Sequence, residues 1–132
     1  MRTLSLAIVF VLAAAGAALA KSNHVGVTVK KCGNQCQVTV TLNNGGDSHA
    51  MVHIVPQSRR GQVTRQNARS SIPGGILLGT VQMAQRTETH TFTFNYGGEL
   101  QPGTPFGIVT GWGSNHVWGG VTNVPGADGN LP

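Results

Sequence analysis

Charged and aromatic residues are scarce in this chain. Aspartate and glutamate number 4 and lysine and arginine 9 among 132 residues, and Phe, Tyr and Trp make up 5%. Because acid–base and glycosidase chemistry relies on suitably placed carboxylates, this small supply argues against an enzyme. The positive charge is mild, and no aromatic residue interrupts the basic stretch 59–69, which argues against a nucleic-acid partner. No nucleophile elbow, zinc-protease helix or phosphate loop occurs.

Long apolar runs are missing after the start of the chain. Residues 1–20 combine Arg2, an apolar stretch over residues 4–14 and the small-x-small sequence Ala18-Leu19-Ala20. This pattern is typical of a secretory signal peptide, and the apolar stretch is shorter than the roughly 20 residues that span a bilayer. We therefore predict a secreted or periplasmic protein with no transmembrane segment, formed by residues 21–132.

Cysteine is limited to two residues, Cys32 and Cys36. In an oxidising compartment such a pair is expected to form one disulfide. Gly33-Asn34 between them is a good turn pair, so the bridge would close a tight hairpin. A redox-active or metal-binding pair is the alternative, although the usual redox motif has two intervening residues rather than three.

Turn residues separate short alternating or apolar stretches, a pattern typical of strands. The basic connection 57–71 has room for a short edge strand at residues 62–65, and no helix longer than a turn is indicated. The pattern predicts an all-β protein, a single sandwich of about seven or eight antiparallel strands over residues 21–122, followed by a flexible tail, residues 123–132. The main predicted strands cover residues 24–30, 37–42, 49–55, 76–83, 88–96, 106–112 and 117–121.

The stretch from Leu100 to Phe106, "LQPGTPF", follows a threonine-rich strand and precedes another strand. It resembles the Leu-x-Pro-Gly-Thr-x-Tyr stretch of fibronectin type III and related immunoglobulin-like domains. The resemblance implies an immunoglobulin-like β-sandwich and no particular activity. Phe106 stands where those domains have a corner tyrosine, so the hydroxyl hydrogen bond of that corner would be missing.

Both tryptophans lie in the glycine-rich stretch 111–120, on either side of His116. In one continuous strand Trp112, His116 and Trp118 would share a face and form an aromatic platform for a sugar. A hairpin turning at Ser114-Asn115 would put the two tryptophans on opposite faces, with Trp112 buried. The turn sequence favours the hairpin, and Trp112, His116 and Trp118 are candidate ligand-binding residues.

A candidate metal site lies on the predicted strand 49–55. Ala50, Val52 and Ile54 are expected to point inward, so His49, Met51 and His53 would point outward together. Nitrogen and thioether ligands suit copper, although histidines four residues apart on a strand are far apart for one ion. A second histidine from another strand would have to complete the site, and a half-exposed strand face is the plainer interpretation.

The connection 57–71 carries four arginines without an acidic residue between them. A solvated loop is the plainer explanation, and contact with an anionic surface or a glycan is the functional one, because arginine matches sulfate, phosphate and carboxylate groups. The candidate contact residues are Arg59, Arg60, Arg65 and Arg69.

These features favour an exported, non-catalytic β-sandwich that works by binding through its loops. The expected partner is a glycan, an anionic surface polymer or another protein, and no cofactor is expected. The first alternative is an extracytoplasmic copper- or zinc-binding protein, and the second is a secreted hydrolase with an unrecognised site.

Overall fold

A computed structural model describes residues 23–114, 117–123 and 128–132, with the backbone alone for residues 23, 114 and 117–123. Each of the seven main predicted strands matches an observed strand to within two residues at either end. Two short 3₁₀ helices, Gln57–Gln62 and Asn67–Arg69, lie between β3 and β4. The strands in this part of the chain are β1 (Asn23–Cys32), β2 (Gln35–Asn43), β3 (His49–Pro56), β4 (Ile76–Gln82), β5 (Thr87–Asn95), β6 (Pro105–Ser114), β7 (Val117–Asn123) and β8 (Gly129–Asn130).

The strands form two antiparallel sheets. One sheet has the order β1-β2-β5, and the other has the order β4-β3-β6-β7, with β8 also paired to β6. The β1–β2, β3–β4 and β6–β7 pairs are neighbours in the chain, whereas β5 pairs with β2 and β6 pairs with β3 across long connections. The predicted fold class, a single all-β sandwich of antiparallel strands, is confirmed.

The main core lies between the two sheets and follows the strand alternation. On β2 the buried side chains are Cys36, Val38, Val40 and Leu42, while the residues between them remain partly exposed. The largest core side chain is Trp112, which is 1% exposed, and its Nε1 donates a hydrogen bond to Thr110 Oγ1 at 2.9 Å. Full burial of an aliphatic or aromatic side chain of this kind contributes about 1.5–3 kcal/mol. The prediction that Trp112 is buried is therefore confirmed.

The first hairpin contains the predicted turn but not the predicted disulfide. Gly33 has a φ of 62°, which suits the first position of a two-residue hairpin loop. Cys36 pairs with Lys31, and Cys32 pairs with Gln35, so the two cysteines lie on opposite faces of the hairpin. Cys32 is exposed, Cys36 is buried, and both thiols are free. The register explains why the predicted Cys32–Cys36 bridge is not formed.

A bulge in β1 turns one valine away from the core. The register with β2 shifts between His24 and Gly26, so Val25 is an extra residue without a partner. Val25 is 59% exposed, whereas Val27 and Val29 pack against the core. The bulge therefore interrupts the simple alternation of β1 at its start, and Val25 does not share the environment of the other two valines.

The connection 57–75 folds over the outer face of β3 and β6 and contains no strand. The predicted edge strand 62–65 is replaced by local hydrogen bonds: Asn67 Oδ1 accepts from the Thr64 backbone N–H at 2.8 Å, and Thr64 Oγ1 accepts from the Asn67 N–H at 3.0 Å. Such side-chain bonds compete with sheet pairing. A small second core forms underneath, from Val55, Ala68, Ile72 and Val109 with Val63 at its margin.

The end of the chain is docked rather than loose. Leu131 is 2% exposed and belongs to the main core, and its backbone N–H donates to Thr104 O at 2.9 Å. Tyr96 Oη donates to Pro132 O at 2.6 Å. Residues 128–132, which belong to the predicted tail, therefore pack against the folded strands in this structure. Within the described ranges, no helix is long and apolar enough to cross a membrane.

Candidate ligand-binding face

The tryptophan hairpin is formed, but it offers no described aromatic platform. β6 and β7 pair antiparallel, with Ser114 opposite Val117 and Gly113 opposite Trp118, so Ser114 belongs to β6 rather than to the predicted turn. Trp112 is in the core and is inaccessible to a ligand. His116 and the side chain of Trp118 lie outside the described residues. Of the three candidates, Trp112 is therefore excluded as a contact residue.

The predicted metal residues do not form one accessible cluster. His49 and Met51 are half-buried on the outer face of β3, and His49 Nδ1 lies 3.1 Å from Ser48 Oγ. His53, expected to point into solvent, is fully buried because the connection 57–75 covers it, and its Nε2 is bonded to Ala68 O at 2.8 Å. Across the described part of the chain, no three His, Cys, Asp or Glu side chains are placed to hold a metal ion. The exposed orientation predicted for His53 is wrong.

One of the predicted arginines is paired with an acid from a distant part of the chain. The Arg59 guanidinium lies 2.6 Å from Glu99 Oε2, and Arg59 Nε also donates to this carboxylate at 2.8 Å. This pairing raises the pKa of Arg59 and lowers the pKa of Glu99. Arg60, Arg65 and Arg69 are exposed on the same connection. Since Glu99 is 40 residues further along, the pattern within residues 57–71 could not reveal it.

Glu88 and His90 form a histidine–carboxylate pair that lines a surface depression with a volume of about 410 Å³. Glu88 Oε2 accepts hydrogen bonds from the backbone N–H groups of Ala84 at 2.5 Å and Gln85 at 2.7 Å. Glu88 Oε1 lies 2.9 Å from His90 Nε2. These partners, led by the Gln85 N–H, lower the pKa of Glu88.

Glu88 stabilises the turn before β5, and His90 is bonded to the same carboxylate. Two threonine hydroxyls border the depression, but Thr89 Oγ1 bonds to Thr41 Oγ1 at 3.0 Å and Thr87 Oγ1 donates to Asn43 at 3.5 Å. Neither hydroxyl is hydrogen-bonded to His90. A histidine that acts as a base for a nucleophilic hydroxyl lies within hydrogen-bond reach of that hydroxyl. The carboxylate is occupied by the backbone N–H groups of the turn before β5.

The outer face of the β1-β2-β5 sheet is a regular array of hydroxyl groups. Thr28 lies opposite Thr39, which lies opposite Thr91, and the next row pairs Thr41 with Thr89. Strands are about 4.8 Å apart and alternate residues about 6.7 Å apart, so these side chains occupy a near-rectangular grid. The threonine face is defined by Thr28, Thr39, Thr41, Thr89, Thr91 and Thr93.

Hydrogen bonds across the strands hold this face rigid. The hydroxyl oxygens of Thr39 and Thr91 are 3.0 Å apart, as are those of Thr41 and Thr89. Threonine is β-branched and already restricted at χ1, so each cross-strand bond also fixes the position of two methyl groups. The face therefore presents ordered hydroxyl and methyl groups before any ligand arrives.

The threonine face carries almost no charge. In the row beside Thr28 and Thr39, Lys30 lies opposite Gln37, and Gln37 lies opposite Thr93. Lys30 is the single charged residue among the outward-facing positions of the described β1, β2 and β5. The sequence signal is Thr at alternate positions of β2 and of β5, with Thr28 on β1, but only the β2–β5 pairing brings the rows together.

Fold and surface together define a β-sandwich with an ordered face of threonine hydroxyls, and among the described residues no three His, Cys, Asp or Glu side chains are placed to hold a metal ion. The chain matches no protein-family model, no curated protein and no solved structure.

Proposed function

We propose that this chain is a non-catalytic binding module whose threonine face docks on the surface of a neutral, hydroxyl-rich polysaccharide. The observation that carries the proposal is the pair of cross-strand threonine rows, Thr28–Thr39–Thr91 and Thr41–Thr89. The predicted signal peptide supports it, because such polymers are found outside the cytoplasm.

Hydroxyl chemistry supports a sugar ligand. A threonine hydroxyl can donate one hydrogen bond and accept two, and the hydroxyls of a sugar have the same capacity. In each Thr–Thr pair one oxygen donates to the other, so acceptor capacity and one hydrogen atom remain for a ligand. The methyl groups between them suit the C–H faces of pyranose rings.

The lack of charge on the threonine face favours a neutral polymer over an acidic one. No carboxylate lies on the described outer face of β1, β2 and β5, and Lys30 is at one end of it. An uncharged face gains no counterion-release or ion-pair energy from an acidic polymer. A neutral glycan loses little by docking there, because none of the six threonines that define the face carries a charge that would have to be desolvated without a partner.

The shape of the face favours an extended polymer over a short oligosaccharide. The defined threonine face includes no aromatic side chain on which one sugar ring could stack tightly. Affinity must then come from many weak contacts made together along several rows. The cross-strand hydrogen bonds reduce the entropy lost when those contacts form.

Co-sedimentation with microcrystalline cellulose, chitin and an insoluble β-1,3-glucan tests the proposal. We expect binding to at least one of them and at least a roughly tenfold weaker association for Thr39→Glu and Thr91→Glu, about 1.4 kcal/mol. Thr80→Glu is the matched control, because Thr80 is an exposed strand threonine on the other sheet.

Binding that Thr39→Glu and Thr80→Glu weaken equally would contradict a role for the threonine face. Failure to bind any neutral polymer would contradict the polysaccharide itself. Retention on heparin that Arg60→Ala weakens, with no neutral binding, would instead support an anionic partner for the connection 57–75.

A further inference from the structure

His53 is buried beneath the connection 57–75, which we call the cover. The side chain belongs to the outer face of β3, and its strand neighbours are Leu77 on β4 and Val109 on β6. Its exposed fraction is 0%. The cover lies on the sheet opposite the threonine face, so the behaviour of the cover is independent of the proposed function.

One ring nitrogen of His53 is satisfied and the other is not. Ala68 O, 2.8 Å from Nε2, can only accept a hydrogen bond, so the hydrogen of the neutral ring is on Nε2. Nδ1 is buried and has no hydrogen-bond partner. The neutral ring therefore leaves only a lone pair unsatisfied, which is the least costly arrangement in this position.

Protonation would place a positive charge and a second N–H donor in the same apolar space. The second core next to His53 consists of Val55, Ala68, Ile72 and Val109. No acceptor faces Nδ1, so the added N–H would be buried without a hydrogen bond. Burial accordingly lowers the pKa of His53, partly offset by the bond to Ala68 O.

The charged groups on the surrounding elements cannot compensate a protonated His53. The described β4 and β6 carry no ionisable side chain, and β3 adds His49. Glu99 pairs with the cover through Arg59, and this carboxylate is therefore already engaged with a cation. The charged residues of the cover itself are all cations: Arg59, Arg60, Arg65 and Arg69.

The cover buries few apolar side chains. Its buried apolar residues are Ala68 and Ile72, with Val63 partly buried, whereas the main core includes side chains from both sheets. Ala68 lies directly against the backbone of Gly111. Segments with few buried apolar contacts open locally at a lower free energy than the core.

We propose that the cover opens when the surroundings become mildly acidic, with His53 as the trigger, and that opening exposes the apolar outer face of β3 and β6 around Val55 and Val109. The closed form excludes the proton and the open form accepts it at the ordinary histidine pKa of about 6.5. Closing is therefore fully favoured above about pH 6.5 and weakens by up to tenfold per pH unit below it, until the lowered pKa of the closed form is reached.

Amide hydrogen exchange of the whole protein, measured at about pH 7.5 and about pH 5 and corrected for the intrinsic exchange rate at each pH, tests whether the cover opens in acid. We expect protection of Ala68 to Ile72 to fall at least roughly tenfold at the lower pH, with β2 and β5 unchanged. His53→Gln retains an N–H donor for Ala68 O but does not titrate, so its cover should show the same protection at both pH values. His49→Gln is the control and should respond like the wild type.

An equal pH response in His53→Gln, or no response in the wild type, would overturn the proposal. Loss of protection in β2 and β5 at the same pH would also overturn it, because the event would be global unfolding. If His53→Gln does not fold, an NMR titration of the wild-type His53 ring decides: the cover amides must shift with the same midpoint as the ring, and a cover that does not shift refutes the trigger.

Discussion

Cys32 and Cys36 stand close together in the sequence, yet their thiols have different surroundings. Cys36 faces the core beside Val38, and Cys32 faces outward at the tip of the first hairpin. Burial raises the pKa of the Cys36 thiol, with a smaller opposing effect from Tyr96. The thiolate is the reactive form of cysteine. Cys36 is therefore unreactive in the folded state, because its thiol is buried and because its raised pKa keeps it protonated.

Thiol labelling should reveal this difference. We expect the folded protein, without reductant, to take up one alkylating label rapidly at Cys32 and a second only after denaturation exposes Cys36. Mass spectrometry of the labelled peptides distinguishes the sites. Cys32→Ser should abolish the rapid label and leave the slow one. A denatured, unreduced sample that takes up no label would instead show that the two cysteines are bridged.

At the scale of secondary structure elements, the cover depends on one missing side chain. Gly111 lies on the outer face of β6, and a Cβ there would collide with Ala68, whose carbonyl carbon would be 2.9 Å away. This close approach holds Ala68 O where it can accept the hydrogen bond from His53. Gly111 is therefore needed because the connection packs directly against the strand.

Gly111→Ala should destabilise the protein by about 1–3 kcal/mol, the usual cost of inserting atoms into packed space. Chemical denaturation measures the change, and hydrogen exchange should show the largest loss of protection at Ala68. Gly61→Ala is the matched control, since Gly61 is in the same connection and a Cβ there meets nothing within 4 Å. Equal destabilisation by both substitutions would argue against the contact with Ala68.

For the whole molecule, the last described residues tie the two sheets together. Asp128 Oδ2 accepts from the Ile108 N–H at 2.7 Å, and its Oδ1 lies 3.4 Å from His24 Nε2. His24 is on β1 and Ile108 on β6, so this carboxylate contacts both sheets. Leu131 then fills the core next to the stretch that leads into β6.

Leu131→Ala should cost about 2 kcal/mol, at the lower end for a buried leucine because the chain end can relax into the space. The free energy of unfolding in urea measures it, and Asn130→Ala, at an exposed neighbouring position, should be close to neutral. A neutral Leu131→Ala would mean that residues 128–132 are not part of the folded unit in solution.

Individual strands could be predicted from the sequence because their signal is local. Alternation in β2 and β5 and the Gly33-Asn34 turn each extend over a few residues, and each corresponds to the structure. The cover and the docked chain end were missed because their signals are single residues, Ala68 and Leu131, without any period. The exposure of His53 was wrongly predicted for a related reason. Strand alternation predicts which face of the sheet a side chain occupies, but it does not predict whether another segment covers that face.

Local sequence patterns were enough to predict the all-β class, the positions of the main strands and the burial of Trp112, because alternation and turn chemistry act between neighbouring residues. The pairing of strands that are distant in the chain depends on the tertiary structure. The β2–β5 pairing made scattered threonines into one face, and the fold of residues 57–75 over β3 buried His53 and placed Arg59 against Glu99. Such contacts depend on chain closure over tens of residues, and no local pattern encodes their partners.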